Sequence, residues 1–227
     1  EILGFEVGAD YHLASYQQAM EYFKELEQAS PRIKLFEIGK TSMGKSMIYA
    51  AISSDENMAQ PDRYKDISNR LSLVEGLTDE EARGLAAEGK AVVYIDGGLH
   101  STEVAPAQHN FQLAYDMVAS DEPEIRSIRD NVILGLVFAN PDGMDLTAEW
   151  YHSNVGTPYE VSPMPFIMNK YAGGDVNRDS YMVNLVETQH LTRIPNKEWY
   201  PVILYNHHQT APFPARIWVH PASEPTN

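Results

Sequence analysis

Apolar residues recur every three or four positions across residues 13–28, at Leu13, Tyr16, Ala19, Met20, Phe23 and Leu26. That spacing predicts an amphipathic helix laid against a core. The period then shortens. Ile33, Leu35 and Phe36 lie in one short run, Met47 to Ile52 form another, and Gly44 sits between them, so residues 32–53 read as an antiparallel hairpin. Residues 55–89 are charged and helical in part, with Thr78 and Glu81 spaced as a capping box. Two runs, 91–96 and 131–139, are apolar almost without interruption, as strands covered on both faces are. Between them a helix is predicted from Thr102 to about Ala119, with Pro106 near its start, where the missing N–H costs little. An acidic turn at 120–124 follows it. Residues 200–205 make a third apolar strand, and 213–219 offer a further one. Strand, helix and strand in this order predict an α/β fold whose sheet carries helices on both faces.

The pattern fails between about 140 and 180. Asn140-Pro141-Asp142-Gly143 reads as a turn by composition, and the stretch after it is rich in Tyr, Pro, Asn and Gly without a clean period. A structureless connection of that length in a compact domain tends to be functional. No internal repeat and no linker divides the chain, so residues 1–227 are expected to form one domain.

Composition narrows the partners. With 43% hydrophobic and 22% charged residues this is an ordinary globular sequence, and no window approaches the roughly 20 apolar residues of a membrane span. The formal charge of −15, from 32 acids against 17 bases, repels polyanions and argues against nucleic acid and anionic membranes as partners. Cysteine is absent, so a transition-metal site would have to use His, Asp and Glu.

Such a set begins where the strand 91–96 runs out, in Gly97-Gly98-Leu99-His100-Ser101-Thr102-Glu103. Residues three apart share one side of a helix start, so His100 and Glu103 can face one ion, and the paired glycines allow a sharp turn. A catalytic Zn²⁺ takes three protein ligands and leaves a position open. The third is offered at the end of the strand 200–205, by His207 or His208. Between these lies a polar cluster, Asp175-Val176-Asn177-Arg178-Asp179, which by composition is a surface turn. His109, within the helix after Glu103, reads as structural.

Taken in order, His100-x-x-Glu103, Asn140-Pro141-Asp142-Gly143, Asp175-x-Asn177-Arg178 and a strand-end His resemble the zinc metallocarboxypeptidases of the carboxypeptidase A type. The resemblance runs from about residue 13 onward. It implies an α/β fold of the phosphorylase/hydrolase-like kind, with a mixed, mostly parallel sheet. It also implies Zn²⁺ as cofactor, held by His100, Glu103 and a later histidine. Aligning Asn206 with the Asp of the family's Asp-x-His pattern favours His208 over His207. Asp175 matches the carboxylate that orients the first histidine. Asn177 and Arg178 match the pair that takes the C-terminal carboxylate of a peptide. The activity implied is metal-assisted hydrolysis of peptides, as a carboxypeptidase. Members of this kind are commonly exported, which is the expected location.

Two departures stand out. Thr102 occupies the place of an Arg in animal members, and residues 144–170 hold no Arg to stabilise an oxyanion. The family's general-base Glu and substrate-binding Tyr lie well beyond the third ligand, whereas Glu224 stands too close to the ligand strand to match. The chain is therefore expected to be the N-terminal part of a catalytic domain, C-terminally incomplete and poorly active alone. Two other readings are a zinc-dependent deacylase of small N-acyl amino acids on the same fold, and a binding module that has lost catalysis.

Overall fold

The computed structural model describes residues 2–165 and 176–209. The first helix, α1 (Tyr16–Ala29), begins three residues later than the apolar spacing suggests. The reason is Ser15, whose side chain accepts the Gln18 N–H while the Gln18 side chain returns to the Ser15 N–H, a reciprocal cap that fixes the start. The expected hairpin follows as β1 (Ile33–Lys40) and β2 (Ser46–Ile52), paired antiparallel. Three helices, α2 (Asp55–Met58), α3 (Pro61–Leu73) and α4 (Asp79–Glu88), fill the charged segment, and the Thr78–Glu81 capping box is present.

Then come β3 (Ala91–Gly97), α5 (Val104–Ala119), α6 (Pro123–Asn131) and β4 (Val132–Phe138). The acidic stretch read as a turn at 120–124 is instead the lead into α6, with Pro123 in its first turn. A second correction is larger. The presumed turn at Asn140 opens a helix, α7 (Pro141–Asn154), because the Asn140 side chain accepts the Gly143 N–H and Pro141 supplies a helical φ at the first position. The fourteen residues of α7, taken for a turn and the start of an aperiodic loop, therefore belong to a capped helix. The remaining described elements are a short 3₁₀ turn (Val176–Asp179), α8 (Val186–Arg193), a π turn (Ile194–Glu198) and β5 (Ile203–His207). The possible strand at 213–219 lies outside the described residues.

The strands form one mixed sheet in the order β1-β2-β4-β3-β5. Among them only β2 runs against the rest, since it pairs antiparallel with both β1 and β4, whereas β3 lies parallel to β4 and β5. Side chains alternate along β4 and build a core on each face. Leu134, Leu136 and Phe138 pack with Phe23 of α1 and Phe111 of α5, while Ile133 and Val137 pack with Tyr49 and Trp199 on the other side. Each fully buried side chain of this size contributes about 1.5–3 kcal/mol. Helices on both faces are thus held by one strand's two-residue period.

The third apolar strand is not buried: Val202, Ile203, Leu204 and Tyr205 are all exposed. Among the described residues β5 is an edge strand, paired on its β3 side alone. Its apolar run cannot report burial because nothing described packs on its outer side. No described helix is long and apolar enough to cross a membrane.

Candidate metal centre

The glycines that end β3 are set by close packing. A Cβ on Gly97 would stand 2.7 Å from the Pro106 carbonyl oxygen, and one on Gly98 would stand 2.9 Å from the Ala107 Cβ. Gly98 also has φ +76°, in the left-handed region that favours glycine. The strand end can therefore be pressed against α5, and the chain turns at once, with the Glu103 N–H donating to the His100 carbonyl at 2.9 Å. Asn140 holds the same turn from the side, its amide donating to the Leu99 carbonyl at 3.3 Å. Glu103 occupies the N-cap position of α5 without capping it, so its carboxylate is directed elsewhere.

It is directed at two histidines. His100 Nδ1 lies 2.8 Å from one carboxylate oxygen of Glu103 and His208 Nδ1 lies 2.9 Å from the other. The Gln209 N–H donates to that second oxygen, also at 2.9 Å. The two imidazole centroids are 4.8 Å apart. Burial alone would raise the Glu103 pKa, but the Gln209 amide and the two imidazoles outweigh it together and hold the carboxyl below its usual range. Asn177 closes the far side, its side-chain nitrogen 3.4 Å from His208 Nε2.

Strand parity decides which histidine arrives. In the parallel β3–β5 ladder Asn206 faces Asp96 and His207 faces Gly97. The Asn206 amide donates to the Asp96 carboxylate, so the His207 ring must point to the opposite face, where it meets His109 of α5 at 5.4 Å between centroids. Its Nδ1 is buried there with no partner among the described residues. Burial first, then the neighbouring His109 and His208, lowers the His207 pKa and favours a neutral ring. Asp96 is shifted the other way: burial pushes its pKa up to about 6 against the Asn206 hydrogen bond.

The sequence-predicted residues thus divide into four groups. His100, Glu103 and His208 offer ligand atoms that all lie within 4.8 Å of one another. Asn177 reaches the same cluster, and Arg178 is exposed beside it on the 3₁₀ turn. Asp175 lies outside the described residues. His207 is turned away. Two imidazoles and a carboxylate are the donor types that suit Zn²⁺, and their atoms need only small movements to share one ion. Sequence reasoning missed Gln209 and Asp96, and took Asn206 only as a marker for His208, because their contacts depend on a strand pairing that no local pattern announces. It also missed the second contact of Gln209, whose side-chain oxygen accepts the Ala105 N–H at 3.0 Å and ties β5 to the start of α5.

Comparison with known proteins bears on the family and the fold. The family model described as zinc carboxypeptidase matches residues 19–205. Among solved structures, a metallo-carboxypeptidase from Burkholderia cenocepacia is similar with a TM-score of 0.58 at 16% identity, covering 88% of this chain and 42% of that one. A carboxypeptidase A from Helicoverpa armigera is similar with a TM-score of 0.57 at 16% identity, covering 89% of this chain and 47% of that one. The chain spans less than half the length of these structures. No curated protein matches the sequence significantly.

Proposed function

This chain belongs to the zinc carboxypeptidase family, and on that premise we propose that it is a zinc-dependent metallopeptidase of the carboxypeptidase type, with His100, Glu103 and His208 as the metal ligands. The observation that carries the reading is the convergence of two Nδ1 atoms on the two oxygens of Glu103, from histidines on either side of a segment of more than a hundred residues. A structural ion pair needs one histidine. Two on one carboxylate, beside an amide that keeps it ionised, form a site for a cation.

Zinc held there supplies a Lewis acid for a peptide carbonyl and lowers the pKa of a water molecule. The chain's own residues do the rest. Gln209 fixes Glu103 through its backbone N–H, so the carboxylate stays ionised and oriented. Asn177 and Arg178 supply an amide and a guanidinium fork for the free carboxylate of a substrate, on the side of the cluster nearest His208. Thr102, exposed beside Glu103, puts a short neutral side chain where animal members carry an Arg, so substrate contacts there differ. No described residue is assigned the role of general base.

The test is metal content and peptide binding in the same preparation. After reconstitution and dialysis the chain should hold one zinc per molecule, and zinc-loaded protein should bind a peptide with a free C-terminus more tightly than its C-terminal amide. Protein that takes up no zinc would remove the peptidase reading and leave the binding module.

A further inference from the structure

We propose that the cavity of about 510 Å³ between residues 8–13, the start of α5, α7 and residues 160–164 is a substrate subsite that takes a large apolar or aromatic side chain upstream of the scissile bond. This deepens the peptidase reading and rests on it. Thr102 and Val104, the two neighbours of Glu103, are in the wall, so the cavity opens beside the metal centre. Its inner surface is mainly apolar, with Tyr11, Trp150 and Tyr151 as its largest groups.

Its position relative to the centre gives the direction of the peptide. Asn177 lies on the α8 face of the sheet, in a groove with Thr188 and Leu191. The cavity lies on the opposite face, against α5 and α7. A peptide whose carboxylate is held by Asn177 and Arg178, with its carbonyl at the metal, must continue toward the cavity. Asp10 and Glu160 lie in the same wall and disfavour an acidic side chain there.

The walls are built. Gln108, itself buried, clasps the lead-in by accepting the Ala14 N–H at 2.9 Å and donating to the Ala14 carbonyl at 3.0 Å. Trp150 Nε1 donates to the Ser162 carbonyl at 3.2 Å, and Glu160 accepts the Gly156 N–H at 2.8 Å, which together hold the outer loop. Tyr11 is the independent sign of function. It sits at φ +65° and the residue is 64% exposed, so the chain keeps a bulky residue in a strained conformation where no core packing requires it.

The experiment uses the zinc-loaded chain and three N-blocked tripeptides with one C-terminal dipeptide and Phe, Gly or Glu at the third position from the C-terminus. Calorimetric titration should show Phe bound about tenfold more tightly than Gly, and Glu weakest. Tyr11→Gly and, separately, Val161→Glu should bring Phe and Gly to within about twofold with zinc content unchanged. Tyr11→Gly should melt no lower than the parent protein, because it relieves the strained φ, and a merely structural tyrosine would not give that combination. Equal binding of Phe and Gly by the parent protein, or a Phe preference that survives both variants, overturns the subsite and leaves the peptidase reading standing. Failure of the zinc-loaded protein to bind any of the three overturns the peptidase reading, and the subsite with it.

Discussion

Asn206 on β5 stands directly across from Asp96 on β3, and its side-chain amide donates to the aspartate carboxylate inside the protein. The pair fixes the register of two parallel strands. A slip of one residue would exchange the faces of Asn206 and His207 and carry His208 away from Glu103.

Asp96 should make the stability of the metal-free protein depend on pH. Its pKa is raised from 3.8 to about 6 on folding, so the folded state favours the protonated acid. Its contribution is fully present below about pH 4 and is lost as pH rises through about 6. By pH 8 the buried charge costs up to about 3 kcal/mol. Asp96→Asn keeps an acceptor for Asn206 and cannot ionise, so it should flatten this part of the profile. Urea unfolding with chelator at pH 5 and pH 8 measures it, and an unchanged slope in the variant would count against the assignment.

The proposed metal ligands should separate cleanly by substitution. His208→Ala and Glu103→Gln should each lower zinc affinity by at least about a hundredfold, while His207→Ala should leave stoichiometry at one. Zinc affinity should also fall as the medium is acidified, because protons compete with the metal for its ligands. Elemental analysis after dialysis against a graded chelator distinguishes these outcomes, and retention of zinc by His208→Ala would transfer the ligand role elsewhere.

Arg178 should discriminate between peptide ends. Arg178→Ala should weaken binding of a free-acid peptide by about 1.5–3 kcal/mol and leave the corresponding amide unaffected. Titration of both peptides into parent and variant gives the comparison. Equal losses for acid and amide would place Arg178 outside the carboxylate contact.

Gly135 should tolerate no side chain. A Cβ there would lie 1.9 Å from the Tyr49 hydroxyl and 2.3 Å from its ring, and Tyr49 is fully buried between the sheet and Trp199. Gly135→Ala should destabilise by about 2 kcal/mol or more, through forced repacking. Tyr49→Phe should be neutral or stabilising, since it removes a buried hydroxyl that has no partner among the described residues. Denaturant midpoints of the two variants read this directly.

Much of the fold was legible because its signals are local. The Thr78–Glu81 cap, the hairpin around Gly44 and the buried strand before Gly97 each depend on residues within a few positions of one another. The start of α7 was misread for a related reason: asparagine before proline serves a turn and a helix cap equally well, and the choice fell to the Gly143 N–H meeting the Asn140 side chain. At the site, His100 and Glu103 were legible as a pair, and the family resemblance already favoured His208 over His207, for which the strand register supplies the physical reason. The partnership of Asp96 with Asn206 and the two contacts of Gln209 carried no signal at all, because each joins residues about a hundred positions apart.

The parallel pairing of β3 with β5 also sets an order of events in folding. Every bond between Glu103 and the His208–Gln209 pair closes a loop of more than a hundred residues, and such long closures come after local helices and hairpins have formed. The nascent or partly folded chain therefore presents at most His100 and Glu103, a weak two-donor site. On the proposed ligand set, full metal capture would wait until β5 docks, which would make uptake of zinc during refolding a clock for that step of assembly.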